Sequence, residues 1–123
     1  MEDIYSFTLD SETFDRVLSG KKTVQIVLND SKHKVYEVGN ELEFIRKVEN
    51  AEDDKDPKTV KANIENLLYF ANLNDLFDTL GKEKCGYKPS STTEKASDTF
   101  LSHEKYELIE KNGLIAVVFK INK

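Results

Sequence analysis

By residue type and spacing, the chemistry-bearing residues of this 123-residue chain gather at Gly20-Lys21-Lys22-Thr23. The glycine ends a helical pattern and the threonine opens a period-two segment. Both ammonium groups are therefore expected to project from the rim of a sheet and form an anion site. A plainer reading stands beside it, since lysine just past a helix C-terminus is favoured by the helix dipole alone. As base or nucleophile, a lysine needs burial or a nearby cation to bring its pKa well below ~10.4. A carboxylate partner would stand one strand-step beyond Thr23, but Gln25 occupies that position. An amide orients a substrate through hydrogen bonds and does not act as a general base.

Other reactive groups are sparse. His33 and His103 are far apart, and neither has a metal-ligand neighbour at strand or helical spacing, so each reads as a surface histidine and no metal or cofactor is expected. The single cysteine, Cys85, reads as a plain thiol. No glycine-rich phosphate loop and no nucleophile-elbow serine occurs. The net charge of −5 argues against coating nucleic acid by bulk electrostatics, so any such contact must use a local patch. Charges are unevenly spread, with Glu49, Glu52, Asp53, Asp54 and Asp56 in one acidic run and Arg16, Lys21, Lys22, Lys32, His33 and Lys34 in the first third.

These residues need a scaffold, and 123 residues suffice for one domain, 1–123, with a real core. Apolar residues at 38% and charged ones at 33% fit a globular chain. The opening "MEDIYSFTLD" lacks the basic and apolar regions of a secretory signal, and no stretch reaches the ~18 apolar residues of a membrane span. A cytoplasmic protein with no membrane partner is expected.

Ile4 to Leu9 predicts a strand, and Asp10 or Ser11 caps a helix that turns Phe14, Val17 and Leu18 to the core and ends at Gly20. Thr23 to Asn29 predicts a strand with Val24, Ile26 and Leu28 on one face and Thr23, Gln25, Val27 and Asn29 on the other. A turn at Gly39-Asn40 starts a third strand on which Leu42, Phe44 and Val48 share a face; the acidic run then closes a hairpin into a strand over Thr59 to Tyr69. Its end, "LLYF", reads as buried. Asn72 or Asn74 caps "DLFDTL" before Gly81, Ser91 or Thr92 caps a helical region broken near Ser102, and Gly113 precedes the apolar "LIAVVFKI", suited to a sheet centre. Five or six mainly antiparallel strands with short helices, mostly in hairpin-like connections, predict an α+β domain on a curled sheet or small β-barrel.

The ordered series "SGKKTVQIVLND", "VGNELEF", "LLYF", "LFDTL", "CGYKPSSTTEKASDTF" and "EKNGLIAVVFKI" resembles an ASCH domain of the PUA-like superfamily, in its small bacterial single-domain form. The likeness runs from about Tyr5 to Ile121. It implies a PUA-like β-barrel with flanking helices and a cleft at the glycine-lysine turn, in a superfamily associated with RNA and modified-nucleotide recognition. Some ASCH proteins are amidohydrolases on N4-acetylcytidine. The resemblance puts their catalytic lysine at Lys22 and a second catalytic position at Gln25, with Glu104 as a candidate further carboxylate. Many relatives read "KTVEIRLND", so Gln25 and Val27 stand here in place of a glutamate and an arginine. Losing both charges together avoids leaving one buried and unpaired.

Two functions follow as expectations. The first is a module binding RNA or a modified nucleoside or nucleotide through Gly20, Lys21, Lys22, Thr23, Gln25 and Asn29, with Tyr69, Tyr87 or Tyr106 stacking on a base. The alternative is an amidohydrolase acting on N4-acylated cytidine nucleosides, with ribonuclease chemistry behind it. An interaction domain whose ligand site has decayed is the plainest reading.

Overall fold

A computed structural model of the chain describes residues 4–47, 58–88, 92, 94–96, 100 and 106–122. Its elements are β1 (Ile4–Leu9), α1 (Ser11–Leu18), β2 (Val24–Leu28), β3 (Glu41–Arg46), β4 (Thr59–Phe70), α2 (Leu73–Leu80), α3 (Tyr106–Asn112) and β5 (Leu114–Ile121). Residues 94–96 are also helical. The strands form one sheet in the order β1-β3-β4-β5-β2, curled into a half-barrel, so the expected α+β architecture is the observed one.

Connectivity departs from expectation. Only β3 and β4 are joined as a simple hairpin among these elements; β1 pairs with β3 in parallel, and β2 lies at the opposite edge against β5. Helix α1 makes this possible by carrying the chain from one edge of the sheet to the other. Asp10 caps that helix by accepting from the Thr13 N–H at 2.7 Å, and Gly20, at φ 81°, leaves it in the left-handed region that glycine enters without steric cost. Asn72 caps α2 in the same way through the Asp75 N–H at 2.8 Å, and Thr92 accepts from the Lys95 N–H at 3.1 Å.

Two cores flank the sheet. Inside the curl, Leu42, Phe44, Ala62, Ile64, Val117 and Phe119 pack with Phe14 and Val17 of α1. On the outer side, Val24, Ile26, Leu28, Leu114 and Ala116 pack beneath α2, α3 and the buried Ala96 and Phe100. Strand β5 serves both cores, which explains its apolar run from Leu114 to Phe119. Each fully buried Leu, Ile or Phe contributes about 1.5–3 kcal/mol.

Strand β4 changes sides midway. Its inward residues are Val60, Ala62 and Ile64, but Leu67 is the next to face the inner core, while Leu68 and Phe70 pack outside. A register shift between Ile64 and Asn66 causes the switch, leaving Glu65 as the extra residue of a β-bulge. The expected burial of "LLYF" therefore fails at Tyr69, which is 61% exposed. Val48, the acidic run, Ser91 and Ser102 lie outside the described residues. No helix among the described residues is long and apolar enough to cross a membrane.

Candidate functional site

Lys22 does not project from the rim. It is only 4% exposed, and its Nζ donates to the carbonyl oxygens of Val24, at 2.7 Å, and Cys85, at 2.9 Å. Backbone bonds fix the corner around it: the Lys22 N–H donates to the Arg16 oxygen, and the Thr23 and Val24 N–H groups both donate to the Lys84 oxygen. The side chain thus ties the open edge of β2 to the turn spanning residues 82–86. Gly86 makes room for it. At φ 100° this glycine sits in the left-handed region, and a Cβ there would come within 2.8 Å of Lys22 Cδ.

Burial pushes the Lys22 ammonium down to about 8, with the neighbouring Cys85 acting in the opposite sense. Donation to two carbonyl oxygens favours the ammonium, so the lowering is the work of burial alone. Burial likewise pushes the Cys85 thiol up to about 11, against the effect of Lys22, which leaves it protonated near neutrality and inert as a nucleophile.

Beside this corner lies a cleft of about 380 Å³. Its walls come from the last turn of α1 and Gly20, the start of β2 at Lys22 and Thr23, the end of β5 from Val118 to Ile121, and Glu65. Val17, Leu18, Val118, Phe119 and Ile121 supply apolar surface, while Ser19, Thr23, Glu65 and Lys120 supply polar groups. An apolar cavity with a few convergent polar groups is the usual form of a small-molecule site. The α1 C-terminus is its negative dipole end, so that wall favours hydrogen-bond donors over anions. Glu65 and Lys120 are exposed, and neither makes an ion pair among the described residues.

The expected site residues separate. Gly20, Lys22 and Thr23 line the cleft; Lys21 is exposed beside it and is not part of the lining. Gln25 pairs with Val117 and faces the inner core, where its Oε1 is buried with no hydrogen-bond partner among the described residues. Val27 is buried in that same core. Asn29 lies beyond the far end of β2, about 20 Å from Thr23 at the rise of a strand, where its N–H donates to the Gly113 oxygen. Glu104 and His103 lie outside the described residues.

Neither Tyr69 nor Tyr87, two of the tyrosines expected to stack, lines the cleft. Tyr87 packs edge-on against Phe77 on the outer core, Tyr69 is four positions along β4 from Glu65, and the Tyr106 side chain lies outside what the structure describes. Among the described residues, the aromatic at the cleft is Phe119. His33 corrects another expectation. It is no surface histidine: its Nδ1 lies 2.6 Å from Asp30 Oδ1, and its ring meets Tyr36 edge-on. Burial alone would raise the Asp30 carboxyl, but the hydrogen bonds from His33 outweigh it and hold the carboxyl below its usual range. Among the described residues, no three potential ligands cluster to hold a metal.

Sequence reasoning missed Glu65 and Lys120. Both were legible as polar residues on strands, and the break in alternation at Glu65-Asn66 was the available signal for the bulge.

No protein-family model matches the sequence. No curated protein matches it either. Solved structures do. The crystal structure of the hypothetical Pyrococcus protein PH0355 is similar over 98% of this chain and 100% of its own, at 16% identity and a TM-score of 0.74. The solution structure of protein PF0455 from Pyrococcus furiosus is similar over 98% of this chain and 99% of its own, at 16% identity and a TM-score of 0.73. At that identity the likeness establishes the fold of this chain.

Proposed function

We propose that this chain is an RNA- or nucleotide-binding module of the ASCH type, with the cleft beside Gly20 as its base-binding site. The mixed chemistry of that cleft carries the reading. Leu18, Val118 and Ile121 offer apolar surface to the faces of a base, and Thr23 and Glu65 offer polar atoms to its edges. The carboxylate and the helix C-terminus both favour a base edge that donates hydrogen bonds, such as an amino group. The sequence resemblance supports the same ligand class, because its glycine, lysine and threonine meet at this cleft.

Titration of isotope-labelled protein with cytidine and with N4-acetylcytidine tests the reading by NMR. Shifts are expected to concentrate at residues 18–23, Glu65 and residues 118–121, and Thr23→Val is expected to weaken binding by about fivefold or more. Absence of shifts at the cleft with either nucleoside at millimolar concentration would overturn it.

One observation favours a second reading, the hydrolysis of N4-acylated cytidine. The burial-lowered Lys22 and the Glu65 carboxylate line one cleft. A lysine near 8 is partly neutral at physiological pH and can accept a proton. Release of cytidine from N4-acetylcytidine, rising with pH through about 8 and abolished in Glu65→Gln, would establish that activity. Lack of release between about pH 6 and 9.5 would remove it. The described lining contains one carboxylate and no histidine, so nothing in it favours ribonuclease chemistry.

A further inference from the structure

A second, broader depression of about 830 Å³ adjoins the cleft, and the two share Glu65, Lys120 and Ile121 as a common wall. Beyond that wall it is lined by Asn63 and Asn122. Asn63 donates its amide N–H to the Gly39 oxygen at 3.2 Å, which leaves its Oδ1 as an acceptor toward the depression. Asn122 uses its backbone N–H on the Lys61 oxygen, and its side chain makes no bond among the described residues. The outer depression therefore offers amides that give and take hydrogen bonds and a carboxylate that accepts them, with an ammonium at its junction with the cleft.

Resting on the nucleotide reading above, we infer that the two depressions form one groove for two successive nucleotides of a single strand, with Lys120 meeting the phosphodiester between them. Lys120 stands where the linkage between two bound units must run, and it has no acidic partner among the described residues. Glu65 stands on the same wall, where a ribose 2′-hydroxyl can donate to it, as the backbone of RNA provides and that of DNA does not. The neutral amides of Asn63 and Asn122 suit the sugar and base edge of the outer nucleotide, because they present donor and acceptor atoms together. A free nucleoside would fill only the inner cleft.

The test compares cytidine with the ribodinucleotide CpC by calorimetry, over a series of salt concentrations, on wild type, Asn122→Asp and Lys120→Gln. CpC is expected to bind about tenfold tighter than cytidine, with the salt dependence of roughly one phosphate contact, lost in Lys120→Gln. Asn122→Asp puts a carboxylate in the outer depression alone and is expected to remove the dinucleotide advantage while cytidine affinity holds. Equal affinity of wild type for cytidine and CpC would overturn the two-nucleotide groove and leave the base-binding cleft standing. A dinucleotide advantage indifferent to both substitutions would overturn the assignment of these residues. Failure of wild type to bind either compound would overturn the nucleotide reading itself, and this inference with it.

Discussion

Lys22, just before β2, and Gln25, within it, stand three positions apart, and the protein treats their polar atoms in opposite ways. The Lys22 ammonium is buried and engaged, donating to two carbonyl oxygens, with a glycine making room for its stem. The Gln25 Oε1 is buried and unengaged among the described residues, facing an apolar core. The first arrangement holds a corner together, since it joins the sheet edge to a turn some sixty residues away in sequence. The second leaves a buried polar atom with no hydrogen bond among the described residues to offset its desolvation. An engaged polar group and an unengaged one can thus stand three residues apart, and hydrogen-bond partners distinguish them where residue type does not.

The largest expected effect breaks the contrast at Gln25. Gln25→Glu puts a carboxylate where no partner waits, and is expected to cost about 3–5 kcal/mol at neutral pH. Its burial raises the carboxyl above its unfolded pKa, so the deficit relative to wild type should shrink as pH falls and the carboxyl protonates. Urea denaturation at about pH 4 and 7 reads both quantities. A Gln25→Glu chain as stable as wild type at neutrality would mean that a donor reaches this position after all.

The next effect sharpens the Lys22 side. A lysine lowered from 10.5 to about 8 binds its proton more weakly folded than unfolded. Between those values the unfolded chain holds more protons, so stability rises with pH, by about 3 kcal/mol over the window if this group acts alone. That contribution is fully present above the unfolded value and is lost as pH falls through about 8. Lys22→Met should abolish its share of the rise, and an identical pH profile in the two proteins would show that the side chain is solvated in the folded state.

The smallest effect is a gain. Gln25→Leu removes an unpartnered buried oxygen at similar volume and is expected to stabilise the protein by about 1 kcal/mol. A loss of that size would show that Oε1 is satisfied in solution.

Much of the scaffold was legible from sequence because its causes are local. Asp10 and Asn72 cap the helices they precede, Gly113 follows the helix it ends, and the two faces of β2 divide as its alternation predicts. The site was legible only in part. That Gly20, Lys22 and Thr23 share a cleft could be read from their turn, but the inward direction of Lys22 depends on Cys85 and Gly86, which nothing near Lys22 announces. Asn29 was misplaced because sharing a strand face does not mean sharing a site when the strand carries it some 20 Å away. Glu65 escaped because a bulge is an event of pairing, visible in one strand only as a break in its pattern. His33 has its carboxylate partner three residues earlier, a spacing open to reading from the start.

The pairing of β2 with β5 sets the timing of assembly. Val24 meets Val118, so the strand that carries Thr23 must wait, during synthesis, for almost the whole described chain to emerge before it has a neighbour. The β3–β4 hairpin can close early, since its strands are near in sequence, whereas contacts between remote segments carry the larger entropic cost of loop closure and form late. The cleft is bounded by those two remote strands and is therefore among the last features to appear. A nascent chain would present its lysines and its apolar β2 to the ribosome surface and to chaperones well before it could hold a ligand.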